Sequence, residues 1–330
     1  MTQIRSVHVR RARCFSIAIA LAVAALPNSV QAGPWPERTV HIIVASSPGT
    51  SPDIVARIFA ERLAGLWGKP VVIDNRSGAD GILAAQALVQ GNDSHSLLLA
   101  FPGIVTVVPL LHDSLPYDPV NDLVPITSVA YDSLSIAVTP SLPVATLDGL
   151  VRLAKSRPGS LNWASAPGAP YLTFLEFQRR AGLAMTYVSY GSSAQALPDL
   201  MVDQIQLAIT PLASALALAH AGRIKLLAVT APERNPAAPD LMTAVEAGHP
   251  ELTVEAPLGL FGSKMMPTEL RERIAADVTS LASDPAIVRR LGDLGLVPRA
   301  STPAEYAAKL AAQRVQWATL ARRYGVRPQP

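Results

Sequence analysis

The chain has 330 residues, with 28 Lys and Arg against 25 Asp and Glu, a single cysteine and a hydrophobic share of 49%. That apolar share excludes a disordered polypeptide, and the length is long for one hydrophobic core and comfortable for two. Residues 1–32 hold four arginines and no acid, so the other 298 carry 24 basic against 25 acidic residues, a net charge of −1 that gives no case for nucleic-acid binding.

Residues 1–32 read as a cleaved export signal. Arg5, Arg10, Arg11 and Arg13 form a basic start, and Cys14 to Leu26 is apolar apart from Ser16. Val30-Gln31-Ala32 then offers small residues where a signal peptidase reads. The apolar run is short for a membrane span, so the expectation is a periplasmic protein sent through the general secretory route. Cys14 would leave with the signal, which excludes disulfides, thiol catalysis and cysteine metal sites in the exported chain.

The first structured stretch is 40–53. Its first half, from Val40, is apolar and β-branched and predicts a strand buried on both faces. Ser46-Ser47-Pro48-Gly49-Thr50 bends the chain, and Ser51-Pro52-Asp53 opens a helix with Ser51 as N-cap. Ile54, Val55, Ile58, Phe59, Leu63 and Leu66 form the buried side of that helix. Strand, small-residue turn and helix start together favour a bound anion, because unpaired N–H groups and the helix dipole converge there.

Pro70 to Asp74 is a second strand and Asn75-Arg76-Ser77-Gly78-Ala79-Asp80-Gly81 a turn-rich loop. A short helix follows over Ile82 to Val89, then a third strand over Ser96 to Ala100 that ends in Phe101-Pro102-Gly103. This alternation predicts parallel pairing with right-handed crossovers, and it gathers the loops at Ser46–Thr50, Arg76–Gly81 and Pro102–Gly103 at one sheet edge. Val124–Val129 and Ser133–Thr139 are further strands, and Thr146 starts a helix through Ala154. A second series runs through strands at Leu161–Ser165, Met185–Tyr190, Ile205–Ile209 and Ile224–Thr230, with helices between them. It repeats the strand, turn and helix start at Ser165–Pro170 and at Tyr190–Ala194. After a Pro-rich connector, Thr253–Gly262 returns to the first unit, followed by helices at Pro267–Leu281, Pro285–Leu291 and Pro303–Tyr324. The fold class is α/β with a two-lobed, Venus-flytrap architecture, each lobe a mixed, mostly parallel sheet flanked by helices. The lobes are assigned to 33–134 with 255–330, and to 135–254.

Several of these residues carry a resemblance. Pro48-Gly49 with Asp53, the loop Asn75–Gly81, Leu115-Pro116-Tyr117-Asp118-Pro119, and Tyr190 with Ala196-Leu197 and Asp199-Leu200 fall in a shared order and spacing. Gln204, Ala221-Gly222-Arg223, Leu227–Thr230, Arg234 with Pro236, Pro239-Asp240 and Glu246-Ala247-Gly248 continue it. The chain resembles the Bug family, the extracytoplasmic solute receptors of tripartite tricarboxylate transporters, over essentially its whole length after the signal. The resemblance implies a monomeric receptor with neither catalysis nor cofactor, capturing a small carboxylate for membrane transporter subunits or, alternatively, for a sensor protein. It also implies that backbone groups and waters hold the carboxylate between the first-lobe loop and the second-lobe loops. The candidate ligand residues are Ser46, Ser47, Pro48, Gly49, Thr50, Asp53, Asp80, Gly103, Ser165, Ala166, Gly168, Tyr190, Ser193, Ala194 and Thr210.

The departures bear on the ligand. Ser46 stands where the family usually has an aromatic residue, and Thr50 where it has a second glycine, so the pocket mouth is expected to be wetter. Pro167-Gly168-Ala169-Pro170 is one residue shorter than the family loop, and Leu172 or Thr173 stands near its histidine. Thr210-Pro211 replaces an acid, which argues against an amino-acid ligand. The six histidines show no metal-ligand spacing, and none is expected at a candidate loop, which disfavours a hydrolase built on Ser47, Ser165 or Ser193. Asp53 is expected to cap its helix, Asp80 to be a loop acid, Arg76 to brace its loop, and Tyr306, Leu310, Trp317 and Leu320 to pack as core.

Overall fold

A computed structural model describes residues 35–166, 168–190 and 193–328. The export signal expected at 1–32 lies outside them. β1 (Val40–Val44) buries Val40, Ile42, Ile43 and Val44 and leaves only His41 exposed. It pairs in parallel with β2 (Val71–Asn75) on one side and β3 (Ser96–Ala100) on the other. The joining helices are α1 (Ser51–Trp67) and α2 (Ile82–Gly91). In α1 the buried stripe runs through Val55, Ile58, Phe59 and Leu63 and continues four residues on at Trp67. Leu66, three residues on, is rotated out and 55% exposed, which corrects its expected place in the stripe. Trp67 Nε1 donates to Asp277 at 2.8 Å, giving the buried indole its partner.

After β3 come two one-turn helices that the sequence did not reveal, α3 (Gly103–Thr106) and α4 (Val108–Leu111). Pro109 and the four-residue lengths hide them from any periodicity argument. β4 (Leu123–Asp132) then leads straight into β5 (Leu134–Val138), which belongs to a second sheet. That sheet adds β6 (Asn162–Ser165), β7 (Thr186–Tyr187), β8 (Leu207–Pro211) and β9 (Lys225–Val229), with α5 (Leu147–Ser156), α6 (Ala169–Ala181), α7 (Ser193–Met201) and α8 (Leu212–His220) between them. The chain returns through β10 (Ala256–Ser263) and closes with α9 (Thr268–Ala282), α10 (Pro285–Gly292), β11 (Leu296–Pro298) and α11 (Pro303–Arg323). β7 keeps only two residues of the strand expected over 185–190, and β11 is a three-residue addition held by its pairing to β4.

The strand orders are β11-β4-β10-β3-β1-β2 and β7-β6-β8-β5-β9. Both sheets are mixed, as expected, but with a larger antiparallel share than the sequence indicated. β10 runs against β3 and β4, β11 against β4, and β5 against β8 and β9. The reason is geometric. β5 and β10 cross from one sheet to the other, enter at the edge where their parallel neighbours end, and so run opposite to them. Both sheets lie within the compact unit Arg38–Pro330.

Each sheet has its own core. The first gathers Ile43, Leu88, Leu98, Phe261, Tyr306 and Leu310. The second centres on Trp163, fully buried, with ring centroids of Phe174 at 4.4 Å and Tyr187 at 4.8 Å. Burying a ring of that size stabilises the fold by roughly 2–3 kcal/mol. Among the described residues no helix is long and apolar enough to cross a membrane.

Candidate functional site

At the end of β1 the loop folds on its own polar groups. Thr50 Oγ1 donates to the Ser47 carbonyl at 2.7 Å, which leaves Ser46 Oγ as the donor to Thr50 Oγ1 at 2.8 Å. The helix N-cap is Thr50, one residue before the expected Ser51, and its side chain makes no capping bond because it is turned back to Ser47. Asp53, inside the first turn and buried, does the bracing instead. It accepts from Gly49 N–H at 2.9 Å, Asn75 Nδ2 at 3.0 Å and Arg57. Burial pushes its carboxyl up, but the bonds from Arg57, Gly49 and Asn75 outweigh that and hold it below the ordinary aspartate value. Both Asp53 oxygens are therefore engaged by the loop itself. The N–H groups of Ser47, Ser51 and Asp53 make no hydrogen bond among the described residues, so the start of α1 presents free donors.

The loop after β2 winds left-handed through Gly78, Ala79, Asp80 and Gly81, with φ of 117°, 46°, 53° and 89°. Two consecutive non-glycine residues in that region mark stored strain. The turn brings Gly81 so close to Ile104 and Ala45 that a Cβ there would lie 3.4 and 3.5 Å from them. Ser46–Thr50, Asp80 and Gly103 thus share one sheet edge. Asp80 meets His112 Nε2 at 3.2 Å, which corrects the expectation that no histidine reaches a candidate loop; α3 and α4 swing residue 112 back across the edge. Among the described residues the Arg76 side chain pairs only with Asp74, two residues away at the same strand end, at 2.9 Å.

The second sheet presents its carboxyl edge in the same way. Ser165 ends β6 with its hydroxyl donating to the Ala166 carbonyl at 2.9 Å, and Gly168 caps α6 with φ 91°. Thr210, next to last in β8, is fully buried, and its Oγ1 has no hydrogen-bond partner among the described residues. Tyr190 donates to Asp199 at 2.6 Å, and burial together with that acid pushes its phenol up to about 12. Ser193 and Ala194 open α7. Among the described residues no hydrogen bond joins a histidine to Ser47 or Ser165.

The two edges meet. A Cβ on Gly168 would lie 3.2 Å from Val107 Cγ1, and Val107, Leu172 and Trp317 form one buried cluster spanning both sheets. Trp317 is buried as expected, but at this junction and not in the core of either sheet. At the crossover from β4 to β5, the Leu212 N–H that begins α8 donates to the Ser133 carbonyl at 2.7 Å, and the nearby Ser51 of α1 draws the Asp132 carboxyl down against the larger upward push of burial. The starts of α1 and α8 therefore flank the same short connector.

Two cavities lie away from the candidate loops. One of about 110 Å³ sits at the crossovers, lined by Asp132, Ser133, Asn235 and Glu255 among others. The other, about 450 Å³, lies between α6 and α11 and is walled by Glu176, Arg180 and Arg323. Neither contains a candidate ligand residue. Sequence reasoning missed Val107, whose contact with Gly168 no local pattern signals. Among the described residues no group of three or more His, Cys, Asp or Glu side chains converges as metal ligands.

Residues 55–326 match the family model for the tripartite tricarboxylate transporter family receptor. The chain is 32% identical over 96% of its length to a UPF0065 protein of Bordetella bronchiseptica, of which it covers 94%. It is 30% identical to protein BugT of Bordetella pertussis, covering 94% of this chain and 97% of that one. Among solved structures it is similar to an R. palustris protein with adipate, with a TM-score of 0.80, 30% identity, and coverage of 89% of this chain and 100% of that one. MatC of Rhodopseudomonas palustris, with bound malate, gives a TM-score of 0.73 at 28% identity over 87% and 99% of the two chains. With the family model spanning most of the sequence and two sheets meeting edge to edge, the chain belongs to the tripartite tricarboxylate transporter receptors, a family of periplasmic solute-binding proteins.

Proposed function

We propose that this receptor captures a small carboxylate between its two sheets and delivers it to the membrane subunits of a tripartite tricarboxylate-type transporter. The observation that carries the reading is the meeting of the two carboxyl edges at Gly168 and Val107, with free N–H groups at the start of α1 on one side. Helix starts of this kind favour an anion through their N–H groups and dipole. The ligand residues in this reading are Ser46–Thr50, Asp80, Gly103, Ser165, Ala166, Gly168, Tyr190, Ser193, Ala194 and Thr210, with Asp53 holding the first loop from behind. The lobes are 33–134 with 255–330, and 135–254, hinged at the crossovers. The protein acts as a monomer in the periplasm after loss of residues 1–32, binds without cofactor and turns nothing over.

Thermal-shift screening of the exported protein against mono-, di- and tricarboxylates tests this. A ligand at one hundred times its Kd adds about 2.7 kcal/mol, which moves the melting temperature by several degrees. Absence of a shift with every carboxylate at millimolar concentration sinks the proposal.

A further inference from the structure

β1 lies between β2 and β3, so the chain leaves it in one direction through α1 and comes back past it through α2. Right-handed crossovers then put the two helices on opposite faces of the sheet. The α2 face is marked by the buried cluster that joins Ala84, Ala85 and Leu88 to Ile43, Leu98 and Ala100. Alternation along the strands leaves Ile42, Val44, Leu97 and Leu99 for the α1 face. Phe101 follows two residues after Leu99 and precedes Pro102, which holds it to extended backbone, so it keeps to the α1 face. Val44 pairs with Leu99, and the Ala45 N–H donates to the Leu99 carbonyl at 3.1 Å. The same register sets Phe101 level with Ser46.

Between β1 and β3 the direction of winding reverses, and in open α/β sheets a ligand lies in the crevice beyond the strand ends at such a point. Phe101 is 37% exposed there, with Ser46–Thr50 and the start of α1 on one side and Gly103 on the other. The polar side chains of the first loop are spent on the loop itself. Ser46 donates to Thr50 and Thr50 to the Ser47 carbonyl, so neither hydroxyl keeps a proton for a ligand. Both Asp53 oxygens are engaged by Gly49, Arg57 and Asn75. What this edge offers is main-chain N–H for a carboxylate and a phenyl ring for the carbon next to it. A hydrocarbon segment gains by covering that ring, whereas a hydroxylated one gives up its hydration and finds no donor in return.

We propose that Phe101 is a specificity-determining residue that makes this receptor prefer carboxylates built on a plain hydrocarbon segment over hydroxylated ones of the same length and charge. The inference rests on the carboxylate reading above. It also reverses an argument from sequence: Ser46 and Thr50 lead to the expectation of a wetter pocket mouth, but they bond to each other, and the adjoining strand end carries an aromatic residue.

The test takes the chain length and carboxylate count that shift melting most and titrates the plain and the hydroxylated member into the exported protein by calorimetry. Such pairs are succinate with tartrate, adipate with galactarate, and tricarballylate with citrate. The plain member is expected to bind about tenfold tighter or more, the gain from covering about half of a phenyl ring. F101A is expected to weaken the plain member about tenfold and to change the hydroxylated one by less than about threefold. F101L, which keeps a large apolar side chain, is expected to stay within about threefold of the unaltered chain for both. Equal or tighter binding of the hydroxylated member by the unaltered chain overturns the inference without any variant. So does a loss in F101A that is the same for both members, or no loss at all. If no carboxylate shifts melting, the carboxylate reading itself has failed and takes this inference with it.

Discussion

The sharpest local commitment is at Asp53, where one carboxylate ties Gly49, Asn75 and Arg57 into the loop that ends β1. D53N keeps the shape and removes the charge. It is expected to lower stability by about 1–2 kcal/mol in urea unfolding at neutral pH, a figure held down because Arg57 is half exposed and screened. The sign with pH follows from the lowered folded-state value. The stabilisation is complete above the ordinary aspartate value and is lost as pH falls through the lower folded one, so wild type and D53N should converge in acid. Carboxylate affinity should fall with D53N as well, because the amide keeps one acceptor oxygen of the two, so either Gly49 with Arg57 or Asn75 loses its partner and the loop is held less firmly.

At the scale of elements, two helix starts invite opposite tests. α11 opens with a capping box, Glu305 N–H donating to Thr302 Oγ1 at 3.2 Å and Thr302 N–H to Glu305 Oε2 at 2.8 Å. Thr302→Ala is expected to cost about 1 kcal/mol in chemical denaturation and to leave carboxylate binding alone, since the box lies at none of the candidate loops. α6 opens at Gly168, where φ is 91° and a Cβ would press on Val107. Gly168→Ala is expected to destabilise by about 1–2 kcal/mol and, unlike T302A, to weaken carboxylate binding, because it wedges the two edges apart at their contact. Calorimetric titration of both variants separates the two effects.

The whole molecule is clasped on its far side by Glu176. This buried α6 carboxylate accepts from Arg323 Nη1 at 2.8 Å and the Tyr324 hydroxyl at 2.7 Å, at and just beyond the end of α11, as well as from Arg179 and Arg180. The Arg179 hydrogen bond, with those from Tyr324, Arg180 and Arg323, holds the group well below the usual glutamate range despite its burial. E176Q is expected to lower stability by roughly 2 kcal/mol at neutral pH, the arginines being about half exposed, and to speed amide hydrogen exchange over residues 320–326. Because the folded-state value is depressed, the clasp is at full strength above the ordinary glutamate value and loosens only as pH falls well below it. A difference from wild type that persisted in strong acid would contradict this role.

The Val40–Val44 strand, the Pro and Gly turns and the amphipathic helices were legible from residue type and spacing, because hydrophobic period and turn chemistry are local properties. Thr146 as a cap, the parallel β1, β2 and β3, and the burial of Tyr306 and Leu310 followed from the same signals. Leu66 and Trp67 were decided by which turn of α1 faces the sheet, and β11 by a partner strand far away in sequence. The contacts of Gly168 with Val107 and of His112 with Asp80 are encounters between distant segments, with no trace in any window of sequence. The sequence by itself determined the elements and the anion-ready starts of the helices, since those depend on neighbours along the chain. Only the tertiary structure decided which side chains stand beside those starts, since that depends on where two sheets, joined by short crossovers, bring their edges together.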